Sequence, residues 1–219
     1  MITNLCKACI IVVLIAYLGR NTDTKDVNEM VKKIERVNIY NNSFLFDEFN
    51  ESDKQILNNY DLLYNESDEV LLIKPIAREQ YGMNFVTRCV VKDTIKSTDD
   101  NLLGKQIFIT EQSSIDLYDE QALNVMNVLM PMKLDDSYVV FLDKNNQFKS
   151  HYYNPVSTVF GVVPFREEIN IYIQNNQKEK FNESILNYDI VFSPFEESFE
   201  YQLFIEEYRI LHKRILSEF

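Results

Sequence analysis

Residues 83–96 constrain the fold of this chain more than any other segment, because their side chains alternate between two chemically different rows. One row contains Phe85, Thr87, Cys89, Val91 and Ile95, with Asp93 interrupting it. The other row contains Asn84, Arg88, Lys92, Thr94 and Lys96 together with two valines. Alternation by twos is typical of a β-strand with one buried and one solvated face. We therefore predict a strand whose first row faces a core.

The length of this strand predicts a barrel. Fourteen residues at about 3.3 Å each would extend over roughly 46 Å, which is well beyond the usual length of a strand in a flat sheet. Such a strand should bend, and we expect a bulge near Asp93 that lets it serve two parts of a barrel.

Further strand patterns surround the long one. They cover residues 69–77, 105–111, 138–142, 148–153 and 156–165. Pro75 suits a sheet edge or the end of a strand, and Gly161 indicates a bulge or a barrel corner. Residues 116–130 fit a helix or a strand, and we favour strand or irregular structure. The fold class we predict is mainly β, with an antiparallel barrel over residues 66–175.

Helices are predicted on both sides of the barrel. In the stalk and loop of residues 21–65, apolar side chains from Val27 to Val37 have helical spacing, and residues 52–55 form a capping box. Residues 176–219 are a linker and an amphipathic helix with a cap at residues 193–196. The apolar face of that helix contains Tyr201, Phe204, Ile205, Tyr208, Leu211 and Ile215. We expect this face to pack on the barrel.

The first twenty residues contain no charged side chains other than Lys7 and Arg20, and residues 8–19 form an uncharged run that is mostly apolar. Nineteen helical residues are about 28 Å long, which matches a hydrocarbon core if Lys7 extends to the headgroups. Cleavage after Ala16 or Gly19 would place Leu14 or Tyr17 three residues before the cut, where a small residue is needed. We therefore favour an uncleaved membrane anchor at residues 1–20 with the rest of the chain outside the cytoplasm. A cleaved signal peptide of a secreted protein and a buried helix are the alternatives.

The net charge of −12 bears on the partners of the chain. Beyond residue 20 the chain has 20 basic and 34 acidic side chains, so phosphate backbones should be repelled. The charge therefore disfavours nucleic-acid binding unless Arg88, Lys92 and Lys96 form an isolated basic stripe.

Few side chains suit catalysis or metal binding. Cys89 lies alone on the core row, and the spacing of Cys6 and Cys9 has no second cysteine pair to complete a metal site. We interpret His212 as a partner of the dipole near the end of its helix. No metal signature or phosphate loop occurs in the sequence, and we predict no cofactor. The candidate partner-binding residues are His151, Tyr152 and Tyr153, which we expect to form an exposed aromatic cluster.

Three segments carry a resemblance to a known group of proteins. They are Ser67-Asp68-Glu69-Val70, Gly104-Lys105-Gln106-Ile107, and residues 131–142 with the strand Tyr138-Val139-Val140-Phe141-Leu142. The chain resembles small secreted or membrane-attached proteins of low-GC Gram-positive bacteria that have an OB-like barrel. That group is distantly similar to the netrin and metalloproteinase-inhibitor modules. The resemblance covers about half of the chain and implies an OB-like fold with no catalytic residue.

Together these observations favour a non-enzymatic interaction module outside the cytoplasm, with a protein as its candidate partner. The alternative function is a hydrolase or transferase whose site is assembled from scattered residues near His151. An apolar cleft that contains His151 and perturbed carboxylates would indicate that alternative.

Overall fold

The computed structural model describes residues 27–40, 60–81, 84–116, 118, 121–126, 129–144, 151–157, 160–173, 188–192 and 199–219. The described helices are α1 (Val27–Val31), α2 (Tyr60–Glu66) and α3 (Phe199–Glu218). The strands are β1 (Arg36–Tyr40), β2 (Glu69–Tyr81), β3 (Asn84–Lys96), β4 (Gln106–Glu111), β5 (Ser113–Ile115), β6 (Ala122–Met126), β7 (Tyr138–Lys144), β8 (Tyr152–Pro155), β9 (Val162–Pro164), β10 (Ile171–Ile173) and β11 (Ile190–Phe192). The described part is mainly β, as the sequence predicts.

Five strands close a barrel in the order β2, β3, β4, β8, β7 and back to β2. The β4–β8 pair is parallel and only two residue pairs long, whereas the other four pairs of the barrel are antiparallel. The expectation of a barrel is thus confirmed, although one of its five strand pairs is parallel rather than antiparallel.

Strand β3 has the two faces that its sequence predicts. Phe85, Thr87, Cys89 and Val91 are all buried, and Cys89 and Val91 share a core with Ile107 and Ile109 of β4. The register with β2 shifts twice near Asp93, because Lys92 and Ile95 lack paired residues opposite them. This confirms the predicted irregularity. A bulge there lets β3 curve around the barrel without losing its buried row.

Strand β2 is longer than predicted and pairs on both sides over its first half. Its pairing with β7 ends at Ile73, and a shift against β3 follows between Pro75 and Ala77. Pro75 therefore lies where β2 has lost its β7 neighbour, which suits a residue without a backbone donor. Its carbonyl accepts a bond from the amide of Asp135 at 2.9 Å.

The prediction of one strand over residues 156–165 is wrong. Among the described residues of this segment only β9 is extended, and β8 already ends at Pro155. The reason is a turn in which the Gly161 amide donates to the Ser157 carbonyl at 3.0 Å. A Cβ at position 161 would lie 2.6 Å from Pro155 Cβ and 2.5 Å from Ser157 O. Glycine allows the chain to fold back there, as its role at a corner suggested.

A second sheet has the order β1-β6-β5, with β1 and β6 parallel. Strand β6 shows that the strand interpretation of residues 116–130 is right for residues 122–126. The helical pattern predicted to run from Val27 to Val37 ends sooner, because the helix stops at Val31 and Val37 lies in β1. Val37 is nevertheless buried, in a core with Leu123 and Val125.

Helix α3 packs on the barrel as predicted. Tyr208, Leu211 and Ile215 are buried in one core with barrel residues that include Val139 and Phe141. The predicted cap at residues 193–196 and the side chains of residues 201–204 lie outside the described residues.

The interpretation of His212 as a dipole partner is wrong. Its side chain is 2% exposed, and Nε2 has no hydrogen-bond partner in the described part. His212 lies one turn after Tyr208 and therefore shares the buried face of α3. Burial lowers the pKa of the imidazole, so the neutral form is favoured.

The proposed anchor at residues 1–20 and the capping box at residues 52–55 lie outside the described residues. None of the helices in the described ranges combines the length and the hydropathy needed to cross a membrane.

Candidate functional site

The three predicted partner-binding residues separate on β8. His151 precedes the strand, is exposed and has a φ of 79°. Tyr152 is half-buried, whereas Tyr153 is 2% exposed and belongs to the barrel core. The expectation that all three form an exposed cluster is wrong for Tyr153, because successive side chains of a strand point to opposite faces. Burial raises the pKa of Tyr153 to about 12, with a further contribution from Glu69.

A row of side chains crosses the outer face of three barrel strands. Arg88 of β3 is opposite Phe108 of β4, which in turn is opposite Tyr152 of β8. The rings of Phe108 and Tyr152 stack with centroids 4.6 Å apart and planes 9° apart. Both rings are half-buried, and Arg88 is exposed. We call Arg88, Phe108 and Tyr152 the aromatic row.

Of the three residues in the basic stripe that we considered for nucleic-acid binding, Arg88 and Lys92 are exposed, whereas Lys96 is bound to α2. The Nζ atom of Lys96 donates to the carbonyls of Tyr64, Asn65 and Ser67 at 2.6–3.1 Å. Lys96 therefore holds the C-terminal end of α2 rather than extending a surface row with Arg88.

A pocket of about 330 Å³ lies where β4 and β8 part. The last parallel pair is Ile109 with Tyr153, and the following residues of the two strands, Thr110 and Asn154, line the pocket. We call it the end pocket. Its other lining residues are Asn84, Glu111, Gln112, Ser113, Leu129, Met130, Pro131, Tyr138, Pro155, Val162, Pro164, Asp189 and Tyr208.

Glu111 joins the end pocket to a buried ion pair. Its Oε1 accepts from Arg78 Nε at 3.2 Å and from the Thr87 hydroxyl, while Oε2 accepts from the Met132 amide at 2.6 Å. The side chains of Arg78 and Glu111 are 3% and 7% exposed. Arg78 also donates to the Met132 carbonyl and lies over the ring of Phe85 at 5.2 Å. This network ties the ends of β2, β3 and β4 to the segment that follows β6.

Asp189 forms a second buried network at the end pocket. Its Oδ1 contacts Arg166 Nη2 and, at 3.4 Å, Lys133 Nζ, while Oδ2 accepts from the Asn170 amide at 2.8 Å. Arg166 also pairs with Asp136, so the two cations and two carboxylates balance. The Met130 amide donates to the Asp189 carbonyl at 2.9 Å, which holds one wall of the pocket in place.

Two tyrosines complete the buried side of the end pocket. The Tyr138 oxygen accepts from the Lys133 amide at 2.7 Å, and the Tyr208 hydroxyl donates to the Val162 carbonyl at 3.3 Å. Burial is the main reason that the pKa of each phenol is raised, and the negative charge of Asp189 adds to it. Both phenols are therefore neutral hydrogen-bonding groups at any physiological pH.

The sequence pattern identified Tyr152 but missed the end pocket. Among the described residues that line it there is no histidine, so this pocket does not provide the combination that we set as a sign of a site near His151. Within the same described ranges, His, Cys, Asp and Glu side chains form no group of three that could hold a metal ion. Asp189 and Glu111 carry no local motif, because their partners are distant in sequence.

Comparison with known proteins adds no assignment: no protein-family model matches this sequence, and no curated protein matches it either.

Proposed function

We propose that this protein is a non-enzymatic binding module built on an OB-like barrel, and that the aromatic row contacts a protein partner. An OB fold is a five-stranded Greek-key barrel that binds ligands on the face of its second and third strands. Here the second and third barrel strands are β3 and β4, and the fifth strand, β8, lies beside the third. This order supports the OB-like assignment.

The observation that carries the proposal is the half-exposed Phe108–Tyr152 stack beside exposed Arg88. Aromatic and arginine side chains are enriched among the residues that dominate interface energies. At Arg88, Phe108 and Tyr152 the strands are paired with one another, so we expect recognition at the aromatic row to come from side chains. A pair of rings fixed by stacking also loses little conformational entropy when a partner binds.

Photo-crosslinking of the full chain tests this surface. A photoreactive phenylalanine analogue is placed at position 152, and a control analogue is placed at Ile210, an exposed apolar residue of α3. We expect a specific adduct from position 152 and none from position 210. Adducts that are identical from both positions would contradict the proposal.

Affinity measurements with the purified partner then test the energetics. Tyr152→Ala should weaken binding at least about tenfold, since central aromatic anchors contribute about 2 kcal/mol or more. Tyr81→Ala is the matched control, because Tyr81 is a 52% exposed tyrosine on β2 outside the aromatic row. Equal losses from both substitutions would refute the role of the row.

The second part of the proposal is that residues 1–20 anchor the module at the outer face of a membrane. The apolar length and the poor cleavage sites of this segment support it. Fractionation combined with intact-mass measurement provides the test. We expect the full mass in the membrane fraction, and a soluble cytosolic product would refute the anchor.

A further inference from the structure

The end pocket has an unusual distribution of charge. Its charged lining residues are the carboxylates Glu111 and Asp189, and the described lining contains no Lys, Arg or His. The cations that compensate these carboxylates are Arg78, Arg166 and Lys133, and none of the three lines the pocket. The described wall of the pocket therefore contains acidic side chains and no basic ones, while the basic partners lie behind the carboxylates.

Each carboxylate retains room for one more donor. A carboxylate offers about four lone-pair sites, and Glu111 and Asp189 each have three donors or cationic contacts in the described part. Both side chains are more than nine-tenths buried. A donor that reached them inside the pocket would be screened little by solvent.

The rest of the lining is suited to the body of an organic molecule. Tyr138 and Tyr208 supply aromatic surface, and Leu129, Pro131 and Val162 supply apolar surface. Aromatic rings attract cations through their negative faces. A volume of about 330 Å³ is within the range of small-molecule sites.

We propose that the end pocket binds a small organic cation, with its ammonium group directed at Glu111 and Asp189 and its apolar body against Leu129, Pro131 and the two tyrosines. The chain's net charge of −12 favours the approach of cations over anions. This site is separate from the aromatic row, and its occupation does not depend on a protein partner.

Three probes that share one ring test the charge preference. Benzylamine is cationic at neutral pH, benzyl alcohol is uncharged and benzoate is anionic. Titrations of the full chain are followed by NMR, with the amide signals of Ser113, Asn154 and Met130 as reporters of the end pocket. We expect benzylamine to shift these signals saturably and to bind at least about tenfold more tightly than benzyl alcohol, with benzoate weakest. Equal affinities, a reversed order, or shifts confined to other parts of the chain would overturn the proposal.

Matched substitutions on one strand test the location. Thr110 and Gln106 are both on the outer face of β4, but only Thr110 lines the pocket. Thr110→Phe should fill the pocket and weaken benzylamine binding at least about tenfold, whereas Gln106→Phe should leave it unchanged. If Thr110→Phe fails to fold, Asn154→Phe fills the pocket from β8. Undiminished binding to a folded filling variant would refute the site.

Discussion

Removing one partner of the buried Arg78–Glu111 pair should destabilise the protein severely. In Glu111→Leu the guanidinium of Arg78, which is 3% exposed, loses its carboxylate, and the Met132 amide loses its acceptor. Isolating one member of a buried pair costs about 3–5 kcal/mol, against a total stability of about 5–15 kcal/mol for a typical domain.

Urea denaturation of the purified full chain measures this cost. With a slope of about 2–3 kcal/mol per molar urea, a loss near 4 kcal/mol lowers the transition midpoint by roughly 1–2 M. The control is Asp135→Asn, which breaks the exposed ion pair of Asp135 with Lys74. That substitution should cost less than about 1 kcal/mol. Asparagine also tolerates the positive φ of 66° at position 135, so the control adds no backbone strain.

The double variant Arg78→Met/Glu111→Leu separates the loss of a partner from the loss of packing. Because both charges are removed together, no uncompensated ion remains, and we expect a cost of about 2–3 kcal/mol from the unpaired peptide groups of Met132. The double variant should thus be more stable than Glu111→Leu, with a clear coupling energy between the two sites. If Glu111→Leu costs no more than Asp135→Asn, the buried pair does not exist in the folded protein and the reasoning fails.

Three further predictions concern other buried positions. Cys89→Ser should lower the free energy of unfolding by about 1–3 kcal/mol in chemical denaturation, because it places a hydroxyl in an apolar core. Burial also raises the pKa of the Cys89 thiol. A thiol reagent should therefore react with Cys89 only after unfolding. His212 has a lowered pKa in the folded state, so stability should fall as the pH drops below the unfolded value of about 6.5, and a denaturation series from pH 8 to pH 5 should be flatter for His212→Phe. Gly161→Ala should lower the thermal midpoint, because the new Cβ would overlap Pro155 and Ser157, with a cost of about 1–3 kcal/mol; an unchanged midpoint would contradict the tight turn.

The features that could be predicted from the sequence are those with a local period. The buried row of β3 follows from alternation over fourteen residues, and the buried face of α3 follows from helical spacing. The same two rules also account for the two predictions that were wrong, the exposure of Tyr153 and the role of His212. Alternation separates Tyr152 from Tyr153, and spacing of one turn from Tyr208 places His212 on the buried face. These two misassignments came from treating short clusters by composition rather than by period.

The pairing that closes the barrel could not be predicted from a local period in the sequence. The parallel contact joins β4 to β8 through only two residue pairs, and the paired residues Phe108 and Tyr152 are far apart in sequence. Neither strand carries a local signal of its neighbour, since pairing is decided by the packing of the whole barrel. The same holds for the contact between Arg166 and Asp189, which a long segment of chain separates.

Both candidate sites follow from this short parallel contact. While β4 and β8 remain paired, their outward side chains Phe108 and Tyr152 are in register and can stack. Once the pairing ends, Thr110 and Asn154 separate and the end pocket opens between them. A longer parallel pairing of β4 and β8 would extend the aromatic row but close the end pocket. The two-pair length of the β4–β8 contact is therefore the feature of the fold that allows one face of the barrel to carry a flat aromatic surface and a cavity side by side.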